Sequence, residues 1–287
     1  MRLFKRSTLS AKSAVCLIAK NEGPYLLEWI AYHRVLGFDQ IIVYNNNSTD
    51  QSAEVLEKLA AAGIITYRFW PHGAHGSPQI AAYMDALKRS EAEWMLFIDA
   101  DEFLVLHQHP NVNAFLASFE VNGNIDAICF NWRIFGDSHM PRSDGRPVIE
   151  RFTWAAPEDF GVNAHLKSFI KTARQRGVVH MHLCDVIGDK VYSSGRALEM
   201  EQWGVSKDID TTVAQVNHYY TKTLEEYQIK KARGQAGCGE NEHDLKYNWY
   251  HDEAFHGHNR NDEQELSIQK YVAAVKEEML KLSAVFA

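Results

Sequence analysis

The sequence predicts an α/β protein built on a mostly parallel sheet, because apolar runs and amphipathic stretches alternate along its first hundred residues. The strand candidates are continuously apolar, which is typical of strands covered by helices on both faces. Polar residues follow these strands directly. We therefore expect a ligand site at the sheet edge where the carboxyl ends of the strands meet.

Three strand–helix units precede a fourth strand. The predicted strands, each followed by its helix, are 14–19 and 24–37, 41–44 and 48–63, 64–69 and 77–89, and finally 94–98. Ser48 and Gln51 have the spacing of a capping box before the second helix. Pro78 after Ser77 is typical of the first turn of the third helix. Strand–helix–strand units of this kind connect by right-handed crossovers, which makes their strands parallel.

The alternation weakens after about residue 135, where glycine, proline and charged residues over 136–147 predict a long loop. Thr223 and Glu226 form a second capping-box pattern, which predicts a helix ending near Arg233. Polar and apolar stripes over 262–286 predict a last helix. The chain contains no internal repeat and no low-complexity linker, so we expect one domain.

Charge and cysteine usage exclude several classes of protein. The chain has 30 Lys and Arg against 37 Asp and Glu, a net charge of −7, which argues against a nucleic-acid partner. No run approaches the roughly 20 apolar residues of a membrane span. None of the four cysteines forms a C-x-x-C pair, which favours a reducing compartment and predicts a cytoplasmic location.

Common nucleotide and hydrolase motifs are absent from the sequence. Neither G-x-G-x-x-G nor G-x-x-x-x-G-K-[ST] occurs, which argues against a dinucleotide fold and a P-loop NTPase. H-E-x-x-H and G-x-S-x-G are also missing, so the sequence gives no support for a zinc peptidase or a serine hydrolase.

The fourth strand ends in an acidic segment, Asp99-Ala-Asp101-Glu102. Two carboxylates two residues apart leave an extended strand on the same side, where repulsion disfavours ionisation of both. A divalent cation relieves that repulsion, and oxygen ligands suit Mg²⁺ or Mn²⁺. The alternative is a polar turn that closes a buried strand. The apolar Phe103 and Leu104 favour a segment tucked into the protein.

Several further segments occur in a fixed order between residues 14 and 236. They are 20–22 with 25–33, 44–50, Gln79 with Tyr83, 94–104, 131–136, 148–152, 165–167, and 217–222 with 224–227. In this order the chain resembles GT-A glycosyltransferases, and more narrowly glycosyltransferase family 92 and the related bacterial family-2-like transferases. The resemblance implies a Rossmann-like central sheet with an acceptor-side lobe and C-terminal helices.

The resemblance also implies an activity. A hexose, galactose or a similar sugar, would pass from a UDP-sugar to a hydroxyl of a glycan or glycolipid acceptor, with inversion and with Mn²⁺ or Mg²⁺ as cofactor. The single domain would then divide into a nucleotide-sugar half at about 14–135, an acceptor and metal-closing half at about 136–236, and a C-terminal helical extension at 237–287. Peripheral association with the inner face of the membrane is compatible with this activity.

Site residues follow from the same resemblance. Asp101 would bind the metal, with Asp99 on the ribose or sharing the metal and His218 as the third ligand. The remaining donor-binding candidates are Asn21, Glu22, Asn45, Gln79, Lys167 and Lys222. Asn45 stands where family-2 enzymes usually carry an aspartate, yet its amide oxygen still accepts a hydrogen bond from uracil.

The acceptor side is less determined by the sequence. An inverting transfer needs a base, and Asp137 and Glu150 are the first candidates, before Glu158 and Asp159. Trp132, Trp154 and Phe160 could form a stacking floor for a sugar or simply core packing. The histidines His180 and His182, and His251, His256 and His258, suggest zinc, but no cysteine stands at ligand spacing.

Two other functions use the same residues. A nucleotide-sugar or glycan-binding protein without activity would keep the fold and lack a base. A metal-dependent phosphohydrolase would direct the same carboxylates at simple phosphate esters.

Overall fold

A nine-stranded mixed sheet organises the fold. The structure is a computed structural model, and it describes residues 13–71, 77–120, 123–177, 181–234 and 250–286. The strands in these ranges are β1 (Ser13–Ala19), β2 (Gln40–Asn45), β3 (Thr66–Phe69), β4 (Trp94–Phe97), β5 (Glu102–Leu106), β6 (Ile125–Ile134), β7 (Trp154–Ala155), β8 (Leu166–Lys171), β9 (Gln175–Gly177), β10 (Asp185–Val186), β11 (Asp189–Tyr192), β12 (Met200–Gln202), β13 (Val205–Ser206), β14 (Ala214–His218) and β15 (Glu263–Gln264).

Helices cover both faces of this sheet. They are α1 (Gly23–Val35), α2 (Ser52–Ala61), α3 (Pro78–Arg89), α4 (Val112–Ala117), α5 (Val148–Arg151), α6 (Leu224–Arg233), α7 (Asp252–His258) and α8 (Val272–Ser283), with 3-10 turns at Gly161–Ala164, Thr172–Arg174, Ser267–Tyr271 and Ala284–Phe286. Within the described part of the chain, no helix is long and apolar enough to cross a membrane.

The strand order is β3-β2-β1-β4-β8-β6-β14-β5, with β11 also paired to β6. Strands β1 to β4 are mutually parallel, as the alternating pattern predicts. Strand β8 then runs antiparallel to both β4 and β6, and β5 runs antiparallel to β14. Parallel pairs remain the majority, so the predicted α/β class with a mostly parallel sheet is confirmed.

Strand β1 is buried on both faces and separates two apolar layers. Val15 and Leu17 belong to the larger core, which contains α1 and the last helix α8. Ala14, Cys16 and Ile18 face the smaller core under α3. Side chains of a strand alternate between faces, so a continuous apolar run fills both layers at once. The residues after 250 therefore contribute to the main core through Val275 of α8.

Two element predictions are wrong and two are confirmed. Ser48 does not cap α2, which begins at Ser52, because the Ser48 hydroxyl accepts a hydrogen bond from the Asn21 amide instead. The last helix begins at Val272 rather than at 262, after a short strand and a 3-10 turn. The Ser77 cap of α3 and the Thr223 capping box of α6 are both present.

Candidate active site

The acidic segment forms a turn between β4 and β5. The Glu102 amide donates to the Asp99 carbonyl at 3.1 Å, so the two aspartates do not leave an extended strand as the sequence predicts. Trp29 of α1 holds the same carbonyl through its indole N–H at 3.0 Å. The turn is thereby fixed at the carboxyl edge of the parallel strands.

Asp101 is 5% exposed and lies between a lysine and a histidine. Lys230 Nζ donates to Asp101 Oδ2, and His218 Nε2 lies 3.6 Å from the same oxygen. Burial alone would raise the pKa of Asp101, but the charge of Lys230 and the neighbouring His218 hold that pKa well below its usual range. Asp101 is therefore ionised at neutral pH. The backbone amide of Tyr219, just after β14, donates to the backbone carbonyl of Asp101.

Asp99 is the more accessible of the two aspartates, with 35% of its side chain exposed. Lys167 Nζ lies 2.7 Å from its Oδ2, and Gln79 Nε2 donates to its Oδ1 at 3.0 Å. Lys167 is fully buried and also pairs with Glu102 Oε2 at 3.1 Å. Burial lowers the pKa of Lys167, but the charges of Asp99 and Glu102 raise it by more than burial lowers it. The lysine therefore stays charged.

Two buried polar atoms that face each other beside the acidic turn lack hydrogen-bond partners among the described residues. They are His218 Nδ1 and Glu102 Oε1, which lie 3.9 Å apart. Burial lowers the pKa of His218, which leaves a neutral imidazole able to ligate a metal. Within the described ranges no three acidic, histidine or cysteine side chains already converge as a metal-binding group. Asp101 and His218 nevertheless fit two ligands of Mn²⁺ or Mg²⁺, since the metal takes carboxylate oxygen and Mn²⁺ also takes imidazole.

Lys222 lies in the same region with an unusual environment. It is 3% exposed, its φ is +49°, and its ammonium lies 4.4 Å from the centre of the Tyr25 ring. No described residue accepts a hydrogen bond from it. Burial lowers the pKa of Lys222, against which the charge of Asp101 acts. A buried ammonium with unused donors is suited to bind an anion.

Arg233 joins the end of α6 to the loop after β1. Its guanidinium donates to the backbone carbonyls of Lys20 and Asn21 and forms an ion pair with Glu22. Asn21 has a φ of +51° and exchanges hydrogen bonds with Thr49. Glu22 and Asn21 therefore face the described part of the site through a loop that Arg233 holds in place.

Asn45 and Gln79 both have structural hydrogen bonds. The Asn45 oxygen accepts from the Ser48 amide at 3.1 Å, and its Nδ2 donates to the Tyr67 hydroxyl at 3.3 Å. Gln79 donates to Tyr83 as well as to Asp99. Gln79 thus lies within the acidic cluster, whereas no contact joins Asn45 to that cluster among the described residues.

The two carboxylates predicted as the base lie in other surroundings. Asp137 accepts hydrogen bonds from the side-chain amides of Asn259 and Asn261, both at 3.0 Å. Glu150 pairs with Lys276 of α8 at 2.9 Å. No contact joins either carboxylate to Asp101 or His218 among the described residues. The assignment of the base to one of them stays a prediction.

An array of aromatic and imidazole rings packs around His218. Ring centroids lie 4.4 Å apart for Trp132 and His218 and 4.8 Å apart for Trp132 and the stacked His165. Tyr220 lies 5.6 Å from His218 and 4.4 Å from His258. His182 lies 5.1 Å from Trp132. We refer to the rings of Trp132, His165, His182, Tyr220 and His258 as the imidazole array.

The predicted stacking floor does not form as a unit. Trp132 is 8% exposed and covered by His165 and His218, whereas Trp154 contacts His139 and Phe160 contacts Arg260. Of the histidines considered for zinc, His180 lies outside the described residues, and His251 and His256 are exposed.

Sequence reasoning missed Lys230 and Arg233, because a run of charges on a helix is typical of a solvated face. Lys230 is 6% exposed and lies over the rings of Tyr220 and Tyr250. The signal was present in the spacing: Glu226 and Lys230 are four residues apart in a helix and lie on one face. Both side chains are buried, so this face of α6 points into the protein.

The family profile and the curated relatives that match this chain carry the same family name. A profile described as glycosyltransferase family 92 matches residues 13–271. A family 92 protein of Ricinus communis is 37% identical over 228 residues, 75% of this chain and 36% of its own length. One of Arabidopsis thaliana is 25% identical over 240 residues, 79% of this chain and 38% of its own. The chain thus spans little more than a third of these relatives.

Solved structures of glycosyltransferases also match in part. The crystal structure of S. aureus TarS 1-349 has a TM-score of 0.38 at 16% identity, over 77% of this chain and 64% of TarS 1-349. Glucosyl-3-phosphoglycerate synthase from Mycobacterium tuberculosis, in complex with Mn²⁺, UDP and glucosyl-3-phosphoglycerate, has a TM-score of 0.32 at 20% identity, over 43% of this chain and 44% of that one.

Proposed function

Because the chain belongs to glycosyltransferase family 92, we propose that it transfers a hexose from a UDP-sugar to a hydroxyl group of a glycan or glycolipid. Membership of the family confirms the resemblance predicted from the sequence. The observation that carries the proposal is the buried pair of Asp101 and His218 at the sheet edge, with Asp99 and several cations around it. Galactose or a similar hexose is the proposed sugar.

Asp101 and His218 would hold the divalent cation, with Asp99 on the ribose or on the same ion. A bound Mn²⁺ or Mg²⁺ supplies positive charge opposite the diphosphate that leaves with uridine. Charge of this kind favours the transition state more than the ground state, which is the requirement for catalysis. Lys167 keeps the Asp99 carboxylate in position through its 2.7 Å ion pair.

Lys222 is the proposed contact to the diphosphate. Its ammonium is buried beside Asp101, and no described residue accepts its hydrogen bonds. A phosphate oxygen would offset the cost of burying that charge. We expect Lys222→Met to weaken UDP binding about tenfold to a hundredfold by calorimetry. Lys88→Met, on the exposed face of α3, is the matched control.

The loop after β1 is the proposed site of nucleoside recognition. Glu22 and Asn21 would contact the ribose or the uracil, while Arg233 fixes the loop. Asn45 is proposed to accept from uracil through its amide oxygen, in addition to the Ser48 amide. Gln79 would reach the sugar or the diphosphate from its place beside Asp99.

The acceptor and the location are proposed at a coarser level. The acceptor is a hydroxyl-bearing glycan or glycolipid, and displacement at the anomeric carbon with inversion needs a group that takes the hydroxyl proton. The described cysteines Cys16, Cys129 and Cys184 are free thiols, which agrees with a reducing cytoplasmic location. A glycolipid acceptor would place the protein at the inner face of the membrane.

The decisive experiment is a donor screen that measures UDP release from UDP-galactose, UDP-glucose and UDP-N-acetylglucosamine. We expect release that needs Mn²⁺ or Mg²⁺, is abolished by EDTA and is lost in Asp101→Asn. Glu57→Gln, which changes an exposed carboxylate of α2, is the matched control. Turnover that survives both EDTA and Asp101→Asn would contradict the proposal.

The same preparation separates the two other functions. UDP binding by calorimetry, with no turnover on any donor and acceptor pair, would indicate a binding protein. Phosphate release from p-nitrophenyl phosphate, with no need for a sugar nucleotide, would indicate a phosphohydrolase.

A further inference from the structure

His165 and His258 of the imidazole array present the same ring nitrogen outward. His165 Nδ1 lies 2.9 Å from the Val162 carbonyl, and His258 Nδ1 lies 2.8 Å from the Ala254 carbonyl. A carbonyl oxygen only accepts, so each Nδ1 carries the proton. In the neutral ring, Nε2 is then an unprotonated acceptor. The tautomer of both rings is fixed by the backbone.

The Nε2 atoms of these two rings are unused and reach the surface. Neither Nε2 has a hydrogen-bond partner among the described residues. Both are accessible to solvent, because neither belongs to the set of unpartnered side-chain atoms that are buried. Both side chains are half-buried. Burial lowers the pKa of His258, so its ring is neutral at pH 7. The pair therefore offers two hydrogen-bond acceptors to a bound molecule.

The pair lies beside the proposed donor site. Tyr220 contacts both His258 and His218, and Lys230, which holds Asp101, lies 4.5 Å from the Tyr220 ring. His165 reaches His218 through the stacked Trp132. One aromatic ring therefore separates each of these imidazoles from His218: Trp132 for His165 and Tyr220 for His258. Asp137 and Glu150, by contrast, are engaged by amides and by Lys276.

We propose that His165 and His258 form the acceptor subsite, with His258 as the base. This inference rests on the proposed function. The acceptor hydroxyl donates its proton to His258 Nε2 as its oxygen forms a bond to the anomeric carbon. The bond from that carbon to the phosphate oxygen breaks, and its electron pair leaves with UDP. His165 Nε2 accepts a hydrogen bond from a second hydroxyl of the same sugar, which orients it.

The first test separates the two roles by kinetics. UDP release is measured from the best donor with methyl β-galactoside, methyl β-glucoside and methyl β-N-acetylglucosaminide as acceptor probes. His258→Gln keeps an acceptor atom but no basic nitrogen, so we expect kcat to fall about 10²-fold to 10³-fold with little change in KM for the acceptor. His165→Ala should raise that KM about tenfold.

Controls isolate the acceptor subsite from the donor site. His256→Gln changes an exposed histidine of the same helix and should transfer like the wild type. Asp137→Asn and Glu150→Gln test the two carboxylates in the same assay. Full transfer by His258→Gln, or a loss in Glu150→Gln or Asp137→Asn of the size expected for His258→Gln, overturns this inference. The UDP dissociation constant should be unchanged in every variant.

A second test needs no turnover. Long-range ¹H–¹⁵N spectra of histidine-labelled protein assign the tautomer of each ring, and we expect Nδ1–H for His165 and His258. Saturating UDP with an acceptor probe should shift the Nε2 resonances of both. An Nε2–H tautomer in either ring, or no shift with any probe, overturns the inference. A protein that neither binds UDP nor releases it would instead refute the proposed function.

Discussion

The two sides of His218 position their side chains by different means. On the acidic side, ion pairs position the side chains. The pairs are Asp101 with Lys230, Asp99 with Lys167, and Glu22 with Arg233. On the other side, the rings of His165 and His258 are held by backbone carbonyls, and His165 also stacks on Trp132. A buried charge that loses its partner is strongly destabilising, whereas a neutral ring with one backbone bond is not.

This difference predicts which substitutions affect folding as well as activity. A change on the acidic side should lower both stability and turnover, because the residues that we propose to bind the donor also neutralise buried charges. A change in the imidazole array should lower turnover alone. Substitutions on both sides, with stability and activity measured together, test that distinction.

The largest effect is expected from Asp101→Asn, which removes a proposed metal ligand and leaves Lys230 buried without its carboxylate. We expect UDP release to fall by a factor of about 10³ or more. The double variant Asp101→Asn with Lys230→Met should regain much of the lost thermal stability and none of the activity. Restored activity in the double variant would show that Asp101 acts only by neutralising Lys230.

The buried ion pair of Arg151 and Glu226 should give the next largest effect. The pair is bidentate, at 2.7 and 2.9 Å, with both side chains less than 10% exposed. Glu226→Gln should lower the free energy of unfolding by about 3 kcal/mol. Glu277→Gln, which breaks an exposed pair with Lys281, should lower it far less, because water screens that pair. Equal losses in urea denaturation would contradict this expectation.

Glu28 should make stability depend on pH. Burial raises the pKa of Glu28 to about 7, although the amides of Val148 and Ile149 donate to it and lower that pKa. Its unfolded pKa is about 4.3, so the folded protein binds the extra proton between these values. The Glu28 contribution therefore decreases as pH rises from about 4.3 to 7, by roughly 3.7 kcal/mol at most.

Glu28→Gln removes that titration. Urea denaturation of variant and wild type at pH 5, 6, 7 and 8 should show a flatter pH dependence in the variant. Identical slopes in the two proteins would mean that Glu28 titrates normally in the fold.

The smallest effect on stability is expected in the imidazole array. His165→Ala removes one hydrogen bond to a backbone carbonyl and a half-buried ring. We expect the free energy of unfolding to fall by about 1 kcal/mol or less, although transfer should be impaired. A loss as large as that of Glu226→Gln would contradict the expectation that the imidazole array contributes little to stability.

The parts of the fold that the sequence predicts are those determined by local pattern. Strands β1 to β4 and the caps at Ser77 and Thr223 depend on residues close together in the chain. The cap at Ser48 failed because the Asn21 amide, 27 residues away, takes its hydroxyl. Local spacing cannot reveal a competing donor from a distant loop.

The site shows the same division between local and distant contacts. The acidic segment was recognisable because Asp99 and Asp101 follow one apolar strand. Lys230, the partner of Asp101, lies 129 residues further along the chain, and only the folded helix brings it there. The imidazole array could not be predicted either, since the pairing of β6 and β14 brings Trp132 to His218.

The hydrogen bonds of Arg233 to the loop after β1 also determine when the site is completed during synthesis. Its hydrogen bond to the Asn21 carbonyl spans 212 residues, so the loop acquires this support only after helix α6 docks. During synthesis the N-terminal strands emerge first and can pair before α6 has left the ribosome. A nascent chain therefore carries the acidic turn well before the lysines and arginine of α6, and the site is completed only once α6 has docked.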